Sequence, residues 1–144
     1  MFRQLTDQIY VAPQISPEHV AEAKALGVTF ILNNRPEGEE GGQPEGAEIE
    51  AAAKAAGIGY LAVPVTHGGF APWQLDGMAE ALEKAAGGKL LAYCRSGTRS
   101  TLLWALTRAR SGEDCDVIEL RAAKAGYDVS PVRQIMDALA AEAK

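Results

Sequence analysis

Apolar, β-branched segments alternate with helix-forming segments along most of this 144-residue chain. Residues 28–32, 58–65 and 90–93 are predicted as strands, and a short strand over residues 8–11 precedes them. Apolar runs of this kind are typical of strands buried on both faces of a sheet. The alternation therefore predicts an α/β fold in layers, with a mainly parallel central sheet flanked by helices.

The helix boundaries carry clear local signals. Ser16 supplies a cap and Pro17 opens a helix that runs to about Leu26, where Gly27 can end it. Pro72 opens a second helix, which reaches about residue 86. Further helices are predicted over residues 47–56, after Gly97, over 116–125 and from 131 to the C-terminus, and the last two should pack on the outside.

Composition bounds the class of protein. The chain has 47% hydrophobic and 23% charged residues, which is typical of a soluble globular protein, and its length fits one domain over residues 1–144. A net charge of −5 argues against a nucleic-acid partner. We see no targeting segment and no apolar run long enough for a membrane span, so we expect a cytoplasmic protein. Cys94 and Cys115 should both be reduced, and no metal or other cofactor is implied.

One segment, residues 90–100, combines several reactive or anion-binding groups. An apolar strand ends at Cys94, a short glycine-containing loop follows, and a helix begins at about Thr98. In open α/β sheets ligands bind beyond the carboxyl ends of the strands, and the N-terminus of a helix presents unpaired N–H groups to an anion. We therefore expect the backbone amides of residues 95–100 to form an anion cradle, with the loop residues Arg95, Ser96, Gly97 and Thr98 at its centre.

The side chains of this segment suggest separate roles. A thiol at a helix N-terminus beside arginine loses its proton readily, so Cys94 is the candidate nucleophile. Arg99 can donate two parallel hydrogen bonds to a tetrahedral oxyanion. Ser100 can donate its hydroxyl to the Cys94 sulfur or to a leaving group. Arg95 adds positive charge, although its side chain is free to point to solvent, and Gly97 lets the backbone turn close to the anion.

Other polar residues have simpler interpretations. Cys115 lies between Asp114 and Asp116, whose charges should raise the pKa of its thiol, and we interpret it as structural or, less readily, as a resolving thiol. Arg35 follows a predicted strand and is a candidate accessory group. The segment 37–46 is rich in glycine and glutamate, and we expect a solvated surface loop rather than a flap over a site, with Glu37, Glu39 and Glu40 facing water.

The segment Tyr93-Cys94-Arg95-Ser96-Gly97-Thr98-Arg99-Ser100 resembles the Cys loops of two families. Protein tyrosine and dual-specificity phosphatases carry His-Cys-x-x-Gly-x-x-Arg-Ser/Thr. This chain is one residue shorter between Gly97 and Arg99 and has Tyr93 in place of the histidine. Rhodanese-type sulfurtransferases use a shorter loop, and Cys-Arg-Ser-Gly-x-Arg-Ser is a familiar form of it. The loop alone therefore favours sulfur transfer.

Over nearly its whole length the chain resembles the DUF442 family, the phosphatase-like domain of beta-lactamase hydrolase-like proteins. The resemblance is carried by the segments 13–17 (Pro-Gln-Ile-Ser-Pro), 33–39 (Asn-Asn-Arg-Pro-Glu-Gly-Glu), 63–65 (Val-Pro-Val) and 68–70 (Gly-Gly-Phe), together with the Cys loop. It implies a protein tyrosine phosphatase-like three-layer fold. These domains occur alone or fused to sulfur dioxygenases, which makes such an enzyme a candidate partner. The activity implied is either phosphatase or sulfurtransferase.

Two departures from the phosphatase pattern, the shortened Cys loop and a missing general acid, favour sulfur transfer over phosphate hydrolysis. A cysteine-dependent phosphatase needs a general acid, usually an Asp about thirty residues before the Cys, and residues 63–69 contain none. His67 lies there and is a candidate accessory acid. Sulfur transfer from thiosulfate or a persulfide to a thiol such as glutathione releases a stable anion and needs no acid. We therefore rank a Cys94 persulfide mechanism first, phosphomonoester hydrolysis second and a non-catalytic anion- or thiol-binding module third.

Overall fold

A mainly parallel sheet forms the centre of the computed structural model. The structure describes residues 1–66 and 68–143, and within them five strands make one sheet in the order β1-β2-β5-β3-β4. Strand β1 pairs antiparallel with β2, whereas the β2–β5, β5–β3 and β3–β4 pairs are all parallel. The strands are β1 (Arg3–Thr6), β2 (Ile9–Ala12), β3 (Val28–Asn33), β4 (Gly59–Ala62) and β5 (Lys89–Tyr93).

Helices cover both faces of the sheet. They are α1 (Pro17–Ala25), α2 (Gly46–Ala55), α3 (Pro72–Lys84), α4 (Thr98–Arg110), α5 (Cys115–Lys124) and α6 (Arg133–Glu142), with a short 3₁₀ helix at Ser130–Val132. On one face, a small core includes Val20, Ile31, Ile49 and Leu91 and joins the sheet to α1 and α2. On the other face, a larger core joins the sheet to the remaining helices. The predicted α/β fold is thus confirmed.

The central strand owes its position to its composition. Strand β5 reads Lys-Leu-Leu-Ala-Tyr, and Leu90, Leu91 and Ala92 are fully buried because layers cover both faces. Helix α4 follows directly and buries one long flank, with Leu103, Trp104 and Leu106 in the larger core. A parallel strand followed by a buried helix brings the connecting loop to the carboxyl edge of the sheet.

Two differences from the predicted strands have physical reasons. Strand β1 was missed because Arg-Gln-Leu-Thr is polar, and it occurs at the edge of the sheet, where only Leu5 is buried. The predicted strand 58–65 is shorter, since β4 ends at Ala62 and the chain then bends. The N–H groups of Val63 and Val65 still donate to Asn33 O and Asn34 O, each at 2.9 Å, so the bent segment stays attached to β3.

The predicted outer helices α5 and α6 pack mainly on α4, and α5 also contacts β1. Within residues 1–66 and 68–143, no helix is both long and apolar enough to cross a membrane.

Candidate active site

Cys94 lies at the carboxyl edge of the sheet, one residue after the central strand β5. Its N–H donates to Ala12 O of β2 at 3.3 Å, and on the other side Asn34 N–H donates to Tyr93 O at 2.8 Å. Both neighbouring parallel strands therefore hold the backbone that leads into the loop. Cys94 is fully buried, so its sulfur has a fixed protein environment rather than a solvent shell.

The loop turns back on the sulfur at Gly97. The Gly97 N–H donates to Cys94 Sγ at 3.1 Å. Gly97 adopts a φ of +91°, a left-handed conformation that side chains disfavour, and helix α4 begins at the next residue. The first turn of α4 brings N–H groups without intrahelical acceptors to this end of the sheet. The arrangement can stabilise negative charge at the sulfur and on an anion beside it.

The side chains of Arg95, Ser96 and Thr98 bond to partners other than the Cys94 sulfur. Ser96 and Thr98 are exposed and their hydroxyls are 3.0 Å apart, while the Ser96 hydroxyl also accepts the Thr98 N–H at 3.3 Å. The side chain of Arg95 is 60% exposed and donates to Glu40 at 3.1 Å. Any part these residues have in anion binding therefore falls mainly to their backbone N–H groups.

Arg99 is held by three of its five N–H groups. Its Nη1 donates to Glu39 Oε2 at 2.8 Å and to Val65 O at 2.6 Å, and its Nη2 donates to Glu39 Oε1 at 2.8 Å. Among the described residues no oxygen accepts the Nε–H or the second Nη2–H, which together form the side edge of the guanidinium, although the Cys94 sulfur also acts on Arg99 as a hydrogen-bond partner. The pKa of Arg99 is raised, first by the hydrogen bond to Glu39, against burial, and then by the charge of Cys94. One two-donor edge is thus left for an oxyanion.

Glu39 is the main residue that the sequence analysis placed wrongly. We expected it to face water, but its side chain is only 17% exposed and lies against two arginines. The hydrogen bond from Arg99 lowers the pKa of Glu39 to about 2; burial acts against this, and the hydrogen bond from Arg35 adds to it. The carboxyl is therefore a fixed anion that orients Arg99, and it is unsuited to donate a proton near neutral pH. Segment 37–46 is thus partly a wall of the site.

Arg35 ties this segment to the sheet. Its side chain is 3% exposed, and it donates to Glu39 Oε1 at 3.0 Å, to Glu40 Oε1 at 2.8 Å and to Gln14 Oε1 at 3.0 Å. Glu40 in turn accepts from Arg95. The predicted accessory residue Arg35 is thus brought to the site, with each of its three guanidinium nitrogens bonded to the protein. We assign it to holding Glu39 in place.

Ser100 has a different partner from the one expected. Its buried hydroxyl donates to Asn34 Oδ1 at 2.9 Å rather than to the Cys94 sulfur. Asn34 is also fully buried, and its Nδ2 donates to Val63 O at 2.9 Å. This chain of hydrogen bonds joins the start of α4 to the ends of β3 and β4. In this arrangement Ser100 links the nucleophile loop to the sheet through Asn34.

Two other predicted residues are not part of the arrangement described above, for different reasons: one is outside the described residues and the other lies elsewhere. His67, the candidate accessory acid, lies outside the described residues. Cys115 begins α5 and its pKa is raised, as expected, although burial is the largest cause and Asp137 contributes more than the neighbouring Asp114. It lies with Arg133 and Asp137 along a separate cavity of about 400 Å³, which supports the structural interpretation.

Glu39, Asn34 and Tyr127 are the contributors that sequence reasoning missed. Asn34 and Glu39 lie in the motif that carried the family resemblance, which was the one available signal for them. Tyr127 has no such signal, yet its hydroxyl donates to Ser96 O in the Cys loop at 3.2 Å.

A family model matches residues 1–111, and its description is "Beta-lactamase hydrolase-like protein, phosphatase-like domain". Among curated proteins, the beta-lactamase hydrolase-like protein of Xylella fastidiosa strain Temecula1 is 29% identical over 126 residues, which are 87% of this chain. The corresponding protein of Agrobacterium fabrum is 30% identical over 109 residues. The chain spans only 29% of the Xylella protein and 25% of the Agrobacterium protein.

A solved structure shows the same similarity. A Neisseria meningitidis protein described as a candidate phosphatase has a TM-score of 0.82 and 33% identity, over 95% of this chain and 96% of its own. The active form of Tk-PTP has a TM-score of 0.75 over 97% of this chain and 96% of its own; at 14% identity it supports the fold alone. With the family model matching most of its length, the chain belongs to the family of beta-lactamase hydrolase-like protein, phosphatase-like domains, and its fold is that of the protein tyrosine phosphatase-like proteins.

Proposed function

We propose that this chain is a cysteine-dependent phosphatase that acts on phosphomonoesters through a phosphocysteine at Cys94. The observation that carries the proposal is the pairing of a buried sulfur, which accepts the Gly97 N–H, with an Arg99 guanidinium whose side edge is left for an oxyanion. The phosphatase-like family and the phosphatase-like neighbours support this chemistry better than they support sulfur transfer, so our initial order of the two is reversed.

The reaction has two balanced steps. The Cys94 thiolate attacks phosphorus, the S–P bond forms, and the bond from phosphorus to the ester oxygen breaks, so that an alkoxide or phenoxide leaves and takes up a proton from solvent. Water then attacks the phosphocysteine, releases inorganic phosphate and regenerates the thiolate. Arg99 and the loop amides stabilise the charge on the equatorial oxygens in both steps.

Leaving-group protonation limits the substrate class. The segment 63–69 that follows β4 contains no carboxylic acid. Glu39 is held as an anion by two arginines, and Glu40 bridges Arg35 and Arg95. We therefore propose aryl phosphates and other esters of acidic alcohols as the preferred substrates, since their leaving groups depart without a strong general acid. His67 remains a proposed accessory acid.

Sulfane-sulfur transfer is the second candidate, and the same lack of a carboxylic acid favours it. The Cys94 thiolate would attack the outer sulfur of thiosulfate, the S–S bond would break, and sulfite would leave as a stable anion. A thiol such as glutathione would then take the outer sulfur of the Cys94 persulfide, become a persulfide itself and restore the thiolate. A sulfur dioxygenase that consumes the resulting persulfide is a proposed partner.

Parallel assays of one preparation test both candidates. The purified chain is assayed for phosphate release from an aryl phosphate and for sulfite release from thiosulfate with glutathione. Cys94→Ser should abolish the activity, whereas Cys115→Ala, which removes the other thiol, should retain it.

Mass spectrometry identifies the intermediate, since a phosphoryl group and a single sulfur on Cys94 differ in exact mass and in acid stability. Sulfite release without phosphate release would replace the first candidate with the second. Activity in neither assay would favour the anion-binding module.

A further inference from the structure

Tyr127 contacts the nucleophile loop from a part of the chain beyond residues 1–111, which the family model matches. Tyr127 lies three residues after Lys124, the last residue of α5. Gly126, with a φ of +93°, reverses the chain, and the Tyr127 N–H then donates to Ala122 O at 2.9 Å. This is the hydrogen bond of a Schellman helix end, which fixes the backbone of the residue after the glycine. The position of the Tyr127 ring is therefore set by the end of α5.

The Tyr127 hydroxyl and the Cys94 sulfur bond to opposite ends of the same peptide group. The carbonyl of Ser96 accepts the Tyr127 hydroxyl at 3.2 Å, and the N–H of Gly97 donates to Cys94 Sγ at 3.1 Å. No peptide bond is cis within residues 1–66 and 68–143, so this unit is trans and its C=O and N–H point in opposite directions. Fixing the carbonyl toward Tyr127 therefore aims the N–H at the sulfur.

Gly97 confirms how close this contact is. A Cβ at Gly97 would overlap the Tyr127 hydroxyl and would lie 3.0 Å from Tyr127 Cζ. The ring thus packs against the turn itself as well as bonding to the carbonyl. Tyr127 is half-buried and burial raises its pKa, so its hydroxyl keeps the proton that it donates throughout the neutral range.

We propose that Tyr127 is a positioning residue for the nucleophile: it holds the Ser96–Gly97 peptide in the orientation that stabilises the thiolate of Cys94. The proposal rests on the proposed function only in taking Cys94 as the nucleophile. The charge of Cys94 raises the pKa values of Arg99, from α4, and of Tyr127 itself, so Arg99 shares this surrounding with Tyr127. The test must therefore leave the Arg99 contacts intact.

Tyr127→Phe is the test variant, because it keeps the ring and removes only the donor. Tyr10→Phe is the matched control, since Tyr10 is a half-buried tyrosine whose ring packs near Phe2 and whose hydroxyl bonds to none of the described residues. Both are made with Cys115→Ala so that one thiol titrates. Thiolate formation is followed by ultraviolet absorbance against pH, with the same series in Cys94→Ser subtracted.

We expect the midpoint of thiolate formation to rise by about 0.5 pH unit in Tyr127→Phe, since the sulfur keeps only a loosely aimed donor, and to stay unchanged in Tyr10→Phe. The Gly97 amide proton resonance should move upfield in the same variant. An equal midpoint and an unmoved Gly97 resonance in a folded Tyr127→Phe protein would overturn the proposal. Because neither readout needs turnover, absence of phosphatase or sulfurtransferase activity would count against the proposed function alone.

Discussion

The carboxylate of Glu39 binds the guanidinium of Arg99 through two hydrogen bonds of 2.8 Å, although sixty residues separate them in the sequence. Val65 O accepts the other Nη1 hydrogen. The end of the guanidinium is thus bound by the protein, which fixes the orientation of the side edge that the proposed function assigns to an oxyanion. Such prior orientation is a main source of catalysis in sites that stabilise oxyanions.

The first prediction concerns this ion pair. Glu39→Gln keeps the shape of the side chain but replaces one acceptor oxygen by a donor that faces the arginine. We expect kcat/KM for an aryl phosphate to fall by about 10-fold, which is ~1.4 kcal/mol of lost transition-state stabilisation. Glu45→Gln, at an exposed position in the same segment, is the control and should keep normal kinetics. Equal kinetics in the two variants would show that Arg99 needs no such partner.

The second prediction is a pH dependence of stability. The pKa of Glu39 is lowered from 4.5 to about 2, chiefly by Arg99, so the folded state binds this proton less readily than the unfolded chain. The stabilisation is therefore complete above pH 4.5 and is lost as the pH falls toward 2. Denaturant unfolding at pH values from 6 down to about 3 should show a smaller loss of stability in Glu39→Gln than in the parent. Parallel curves for the two proteins would contradict it.

The third prediction distinguishes a structural role of Ser100 from a role in the reaction. Ser100→Ala leaves the buried Asn34 Oδ1 without its donor, so the free energy of unfolding should fall by about 1–3 kcal/mol. Ser111→Ala removes an exposed hydroxyl at the end of α4 and should change stability by less than about 0.5 kcal/mol. Both are measured by denaturant unfolding. If Ser100→Ala is as stable as the parent but slower, Ser100 acts on the reaction itself, as the sequence first suggested.

The fourth prediction compares two glycines with the same backbone conformation. Gly27 and Gly97 have φ values of +93° and +91°, but a Cβ at Gly27 meets nothing within 4 Å, whereas one at Gly97 overlaps Tyr127. Gly27→Ala should therefore lower the free energy of unfolding only by the strain of a side chain in the left-handed conformation, about 1–2 kcal/mol. Gly97→Ala should cost more than Gly27→Ala by about 1–3 kcal/mol, and it should also reduce activity. Thermal and denaturant unfolding of the two variants measure the difference. Equal losses of stability would show that the Cys loop shifts to accommodate the added Cβ.

The fold and the nucleophile loop could be predicted because their signals are local. Apolar strand segments, prolines at helix starts and the run from Cys94 to Ser100 each lie within a few consecutive residues. A strand that ends in such a loop before a helix can place it only at the carboxyl edge of the sheet. The reaction was harder to predict, since the form of the Cys loop favours sulfur transfer whereas the matching family is described as a phosphatase-like domain.

The partners of the loop could not be predicted because they come from distant segments with no pattern of their own. Glu39 lies among glycines and other glutamates, and it is buried only because Arg35, which follows β3, and Arg99, in the first turn of α4, both bond to it. Tyr127 reaches the loop because of a glycine turn after α5. Similarly, the polar strand β1 exists because β2 offers it an edge.

The occupied end of Arg99 also bears on inhibitor design. A carboxylate fragment can chelate a guanidinium through its end or through its side edge, and here Glu39 already holds the end at 2.8 Å on both nitrogens. A competitive ligand has to approach through the Nε edge, beside a sulfur with no exposed surface. Compact oxyanions such as phosphonates or vanadate suit this geometry, whereas a fragment that chelates the end of the guanidinium would have to displace Glu39 first.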